Sequence, residues 1–376
     1  MQILADENIP FVNETFAKFG KVRTISGRNL NSADLAKAEV LLVRSVSQVN
    51  EKLLSGSAVR FVGTATIGLD HIDLNYLDEQ GIGFAYAPGC NAIAVSEYIT
   101  SALLIMAERQ GFQLYDKTVG IIGCGNVGSR VLQKMEALGV NCLLYDPPLA
   151  EKKTTKFNFV DLDTVLSADI LTLHVPLEKT GNYPTANLVN ADFLAKLRED
   201  VILINTSRGG IIDEAALIET LAAHPKMSVI LDVWENEPNI NPLLLERAAF
   251  GTPHIAGYSF DGKVRGTEML YTAACNYFQH NEPADISLPS PPLTGLSFSN
   301  TIDDEIAIQT AVLASYDLRR DDAALRRIRQ SSEFDYLRKN YPVRREFNSV
   351  EIELPVEKSK LATQLRGLGF VVVNKI

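Results

Sequence analysis

Residues 118–139 read TVGIIGCGNVGSRVLQKMEALG, and the order of residue types in them decides the fold. Thr118–Ile122 is a short, continuously apolar run, as expected of a strand covered on both faces. Gly123, Gly125 and Gly128 follow at GxGxxG spacing. Val127, Val131, Leu132, Met135 and Leu138 then keep to one face of a helix. Each glycine has its own task. Gly123 permits the tight turn, Gly125 lets the backbone approach a pyrophosphate, and Gly128 lets helix and strand pack closely. The helix N-terminus offers N–H groups and the positive end of its dipole to the anion. Asp146 ends the next apolar run, where a carboxylate accepts from both ribose hydroxyls of NAD and repels the 2′-phosphate of NADP. It also precedes Pro147-Pro148, so a turn cap is its plainer role. Methyltransferases use glycine-rich βα turns too, so this loop alone does not establish hydride transfer.

The same pattern extends outward. NCLLYD (141–146), ILTLHV (170–175), VILINTS (201–207) and SVILDVW (228–234) are further apolar runs, with helical stretches such as 213–223 between them. Upstream, QILA, VLLVRS (40–45), FVGTAT (61–66) and IGFAYA (82–87) repeat the theme. Helical patterns at 71–80 and about 92–109 lead into the glycine loop. Strands alternating with helices predict α/β architecture, built as two doubly wound parallel sheets of the Rossmann or flavodoxin-like kind. After a helix at about 261–279, the Pro- and Ser-rich stretch 286–295 reads as a linker. Beyond it, helices at about 303–316 and 321–331 precede VEIELP, LATQLRGLG and FVVVNKI, a small α+β module with one β-α-β unit.

Charge narrows the partners. The formal net charge is −10, while residues 286–376 hold 13 Lys+Arg against 12 Asp+Glu, so the acidity lies in the first 285 residues. Such a body does not suit nucleic acid or an anionic membrane. The basic-looking LRRDDAALRRIRQ, with its interspersed acids, reads as a solvated helix. No basic, apolar leader opens the chain, and no stretch approaches a membrane span of about 20 apolar residues. Cys90, Cys124, Cys142 and Cys275 show neither CxxC nor metal-ligand spacing. The expectation is a cytoplasmic protein with free thiols and no metal.

Three polar groups fall at strand ends or just beyond, where open α/β sheets bind ligands: Arg208 in INTSRGG, Glu237 in LDVWENEP and His254 in GTPHIAG. Alone, each has a bland reading, as a surface arginine, a turn residue and a structural histidine. Together they match 2-hydroxy acid chemistry. A guanidinium fork holds a carboxylate and polarises the C2 oxygen. A histidine exchanges the hydroxyl proton as hydride leaves C2, and a carboxylate orients the ring. His174 reads as a strand-end residue near the cofactor rather than a second base.

The motifs GIIGCGNVGSRV, INTSRGGIIDEAAL, LDVWENEP and TPHIAG closely resemble the D-isomer-specific 2-hydroxyacid dehydrogenase family across about residues 1–285. That resemblance implies Arg208, Glu237 and His254 as the catalytic set. It places NAD against Asn126, Val127, Asp146, Thr206, Ser207, Asp232 and Gly257 as well as the glycines. It implies a discontinuous substrate domain, 1–95 with 256–285, around a nucleotide domain at 96–255. VRSVSQVN, GTATIGLDHIDL, APGCNAIAVSEY and TPHIAGYSFDGK look like a branch of the family acting on a phosphorylated four-carbon hydroxy acid. In that branch residues 286–376 would be a dimerisation domain, giving a homodimer. Ser45, Thr66 and Tyr258 become substrate contacts beside Arg44, although caps, packing and an ion pair are the local alternatives. Val175 stands where many relatives carry a polar residue, so only backbone or van der Waals contact to NAD is expected there. Two other readings stay open: a dehydrogenase for glycerate or 3-phosphoglycerate, and an NAD-sensing binding protein.

Overall fold

The computed structural model describes residues 1–152, 156–280 and 282–375. Contacts divide the chain into two compact units, Met1–Asn91 with Ser259–Pro289 and Ala92–Tyr258 with Ser290–Ile376.

The first unit is built on five parallel strands: β1 (Gln2–Asp6), β2 (Lys21–Ile25), β3 (Val40–Val43), β4 (Phe61–Thr64) and β5 (Gly83–Tyr86). Their order is β2-β1-β3-β4-β5, so the topology reverses between β1 and β3. Continuous apolar sequence forms β3 and β4, both wholly buried. KVRTI (β2) is an edge strand with no fully buried residue, which is why no apolar run announces it. The helix Phe260–Phe278 returns to cover one face, with Leu270 and Tyr271 packed among Phe16, Phe19 and Phe61.

The second unit carries six parallel strands: β6 (Thr118–Ile122), β7 (Asn141–Tyr145), β8 (Ile170–Leu173), β9 (Ile202–Asn205), β10 (Ser228–Leu231) and β11 (Phe250–Gly251). The order is β11-β10-β9-β8-β6-β7, and Phe159 adds a single parallel bridge beyond β7 at Leu144. Strand order reverses at β6, so the glycine loop that follows β6 lies at the switch point. The predicted doubly wound architecture is present in both sheets.

Residues 290–376 pack into this second unit. β12 (Gly295–Ser297), β13 (Glu351–Leu354) and β14 (Val371–Asn374) form a third parallel sheet, and the helix Ser359–Leu368 makes the expected β-α-β crossover. β12 begins at the last residue of the stretch read as linker; three residues are too few to show a period. The helices are Asp304–Ser315, Arg319–Leu325 and Ser331–Lys339, the third unanticipated. Gly367 makes the docking close, because a Cβ there would stand 2.5 Å from Ala137 Cβ on the glycine-loop helix. Arg344 is buried and donates to Ala94 O (2.7 Å) and Ala256 O (3.1 Å), with Glu97 3.6 Å away. Asp322 Oδ1 accepts from Gly251 N–H (2.8 Å), continuing the β11 edge into the C-terminal segment. This segment shares one core with helix Ala92–Gln110, Phe347 and Phe370 included. No helix among the described residues is long and apolar enough to cross a membrane.

Candidate active site

Because the second sheet is parallel, the loops after β6, β8, β9, β10 and β11 leave from one edge. The glycine loop has the predicted form. Gly123 adopts φ +90°, and a Cβ on Gly128 would sit 2.0 Å from Gly123 O. A Cβ on Gly125 would meet no protein atom within 4 Å, and helix Asn126–Ala137 has no side-chain cap. Open space before uncapped N–H groups fits a pyrophosphate. Asp146 fills its plainer role: Oδ1 accepts from Leu149 N–H (3.0 Å) to cap the short helix Pro147–Ala150, and Oδ2 accepts from Cys124 N–H (2.8 Å). The second bond keeps the carboxylate beside the glycine loop. Val175 and His174 also reach this loop, their atoms lining the place a Gly123 Cβ would occupy. His174 shares a hydrogen bond with Thr172 Oγ1 (3.0 Å), and burial pushes its pKa down to about 3. At neutral pH its ring is uncharged.

After β9, Asn205 shapes the turn. Its Oδ1 accepts from Ser207 N–H (3.0 Å) and Oγ–H (2.8 Å), and its Nδ2 donates to Arg208 O (2.9 Å). Thr206 Oγ1 is buried with no protein partner. Arg208 Nη1 donates to Ser207 O (2.8 Å). Gly209 has no room for a side chain: a Cβ would lie 1.9 Å from Trp234 O. This contact presses the arginine turn against the loop bearing Glu237.

Asp232 organises the last loop. Its buried carboxylate accepts from Thr252 Oγ–H (2.6 Å), Ile255 N–H (2.7 Å) and Ala256 N–H (2.9 Å). Its carbonyl accepts from His254 N–H (2.7 Å). Expected beside the cofactor, Asp232 commits its side chain to folding the TPHIAG loop that contains Gly257. These bonds hold His254 at φ +57°, a conformation that costs a non-glycine residue about 1 kcal/mol.

His254 Nδ1 and Glu237 Oε2 are 2.7 Å apart, and Glu237 Oε1 accepts from Trp234 N–H (3.0 Å). Burial pushes the Glu237 carboxyl up. The His254 bond and charge, the Trp234 N–H and the Arg338 charge outweigh it, and the pKa lies below the ordinary value. An ionised Glu237 makes Nδ1 the donor and leaves Nε2 as the basic nitrogen. A group with a depressed pKa stabilises the fold above its unfolded value, and that contribution is lost as pH falls through the folded value. The melting-temperature advantage of wild type over Glu237→Gln should therefore hold from neutral pH down to about 4.5 and shrink as pH falls further. Thermal melts carried below that point check it; a gap that stays constant there would contradict the depressed pKa.

Tyr258 packs edge-on against Tyr341 (centroids 5.7 Å, 86°), and Arg338 lies 6.0 Å from its ring centroid. In the first unit, the sequence-predicted residues follow β3 and β4. Arg44 Nε donates to the buried Asp6 (3.0 Å), the ion-pair alternative. Ser45 is exposed in the turn after β3. Thr66 Oγ1 lies 2.8 Å from Thr64 Oγ1 and donates to Gly68 O (3.0 Å), the local turn alternative. Asn205, Thr252, Glu214 (accepting from Glu235 N–H, 2.8 Å) and Arg338 support the site without any sequence signal beyond being polar at strand ends or in helices.

The structure thus defines a nucleotide-binding α/β dehydrogenase with a Glu–His pair and an arginine on adjacent loops. Residues 97–256 match the family model described as D-isomer specific 2-hydroxyacid dehydrogenase, NAD binding domain; residues 287–369 match a domain of unknown function. Erythronate-4-phosphate dehydrogenase of Klebsiella pneumoniae is 47% identical, covering 100% of this chain and 99% of that protein; that of Marinobacter nauticus is 46% identical over 98% and 99%. The chain belongs to the D-isomer specific 2-hydroxyacid dehydrogenase family. Within it, these end-to-end relatives place the chain in the erythronate-4-phosphate dehydrogenase branch. Similar solved structures include D-lactate dehydrogenase from Aquifex aeolicus complexed with NAD and lactic acid (26% identity, TM-score 0.60, 74% of this chain and 96% of that one). NAD-bound 3-phosphoglycerate dehydrogenase of Entamoeba histolytica is another (25%, TM-score 0.62, 77% and 99%).

Proposed function

We infer that the chain oxidises 4-phospho-D-erythronate to 2-oxo-3-hydroxy-4-phosphobutanoate with NAD, a step toward pyridoxal phosphate. The observation that carries the chemistry is the 2.7 Å Glu237–His254 pair, with the basic Nε2 left available. His254 takes the C2 hydroxyl proton, and Glu237 stabilises the imidazolium. Arg208 holds the C1 carboxylate and polarises the C2 oxygen. Bound NAD would supply the acceptor for the C2 hydride. The glycine loop, Asn126, Val127, Val175, Thr206, Ser207 and Gly257 would hold it, with Asp146 at the ribose; Asp232 contributes by fixing the loop. Ser45, Thr66, Tyr258 and Arg44 are the proposed substrate contacts.

Purified protein given NAD and 4-phosphoerythronate should form NADH, or should reduce an added 2-oxo acid if NADH stays bound. Intact NAD binding with no turnover in either format would overturn the reading. Equal activity on unphosphorylated erythronate would overturn the substrate assignment.

The reading includes a cytoplasmic location, where NAD and reduced thiols coexist. It also includes a homodimer formed through residues 286–376, supported by exposed Tyr336, Val343 and Val356 on that segment. Light scattering should give twice the 41.3 kDa chain mass; a monomer mass would refute it.

A further inference from the structure

Arg338 comes from the C-terminal segment, yet its surroundings belong to the catalytic loops. Helix Ser331–Lys339 buries Phe334 and packs Leu337 in the core of the second unit. Arg338, four residues after Phe334, shares that inward face. Its Nε is buried without a hydrogen-bond partner, and its Cζ lies 6.0 Å from the Tyr258 ring centroid. The ion pair to Asp335 is long, 3.8 Å, and its carboxylate is 39% exposed, so it does not account for the inward aim. Tyr341, two residues past the helix, packs edge-on against the same Tyr258 ring. Arg344, further along the segment, donates to Ala256 O, which registers the segment on the His254 loop.

The electrostatics agree with this placement. Burial works against the Arg338 charge, and Tyr258 and Glu237 more than offset it. Reciprocally, Arg338 is among the groups that hold Glu237 low.

We propose that Arg338 is a positioning residue of the active site, which fixes Tyr258 for the substrate and lends its charge to the Glu237–His254 pair. The proposal rests on the reading of His254–Glu237 as the acid–base pair and Tyr258 as a substrate contact. The titratable groups that act on Glu237 are His254 and Arg338, and Glu214 is near enough to feel its charge. Among them Arg338 is the permanent cation on a different element. Removing it raises the Glu237 pKa, so the acid limb of the activity profile moves to higher pH.

The test is steady-state kinetics of the full chain with NAD and 4-phosphoerythronate against pH, for wild type, Arg338→Met and Arg338→Lys, each with a thermal melt. Arg338→Met should lower kcat/KM about 10-fold, mainly through KM, and shift the acid limb to higher pH. Arg338→Lys should restore the acid limb and leave KM raised, because an ammonium keeps the charge without the planar fork. A folded Arg338→Met with wild-type KM and acid limb overturns the proposal. If Arg338→Met does not fold, Arg338→Lys decides: wild-type KM overturns it, a raised KM with an unmoved limb supports it. A wild type that binds NAD and does not turn over defeats the underlying reading instead.

Discussion

His254→Asn lowers kcat by about 10²–10⁴-fold while NAD binding is unchanged. The loss corresponds to roughly 3–5 kcal/mol of transition-state stabilisation. Asn retains a polar side chain at a position whose left-handed backbone Asn tolerates well, so the loop that Asp232 folds should keep its shape. What disappears is the basic Nε2 and the Nδ1 donor to Glu237. The measurement is kcat beside NAD affinity from fluorescence titration. A variant with near wild-type kcat would remove His254 from the chemistry. One that loses NAD affinity as well would place it in the cofactor site.

Arg208→Lys is expected to cost about 10²–10³-fold in kcat/KM, although the charge is kept. The β9 turn is built for a guanidinium. Asn205 fixes the backbone on either side of it, Ser207 O takes one N–H, and Gly209 lets the turn lie against Trp234. An ammonium occupying that place cannot present two parallel N–H bonds to a carboxylate. The loss should appear in both KM and kcat, since the same fork binds the carboxylate and polarises the reacting oxygen. Steady-state kinetics on the 2-hydroxy acid decides; Lys equal to Arg would mean a point charge suffices.

Much of this site is legible in the sequence because parallel α/β folds write their strands as apolar runs and end them at the ligand edge. β6, β7 and β10 start where their runs start, and GCGNVG turns where glycine geometry requires. β2 escapes because an edge strand need not be apolar, and β12 because three residues carry no period. The third C-terminal helix escapes because SSEFDYLRK is mostly polar and anchors chiefly through Phe334. That miss hides Arg338. Asp232 and Asp146 show a second limit. A carboxylate at a strand end signals its place near the ligand edge, but whether it faces ligand or backbone depends on tertiary hydrogen bonds. Asp232 turns out to bind three groups of the TPHIAG loop, and Asp146 both a helix cap and the glycine loop.

The C-terminal segment also reads differently once packed. Its sequence suggests a separate module after a linker. Its side chains instead complete the core around helix Ala92–Gln110 and reach Ala256 and Tyr258. Cutting at residue 286 would therefore expose that core and disturb the His254 loop, beyond any effect on assembly.

The most direct test of the chemistry uses 4-phosphoerythronate carrying deuterium at C2, incubated with the protein and NAD, with the NADH formed analysed by mass spectrometry. If NADH stays bound, a 2-oxo acid is added and its reduced product is analysed instead. The account predicts that the C2 deuterium is found in the NADH, or in the product it reduces. Turnover that leaves the label in the oxidised acid or releases it to water would contradict hydride transfer from C2.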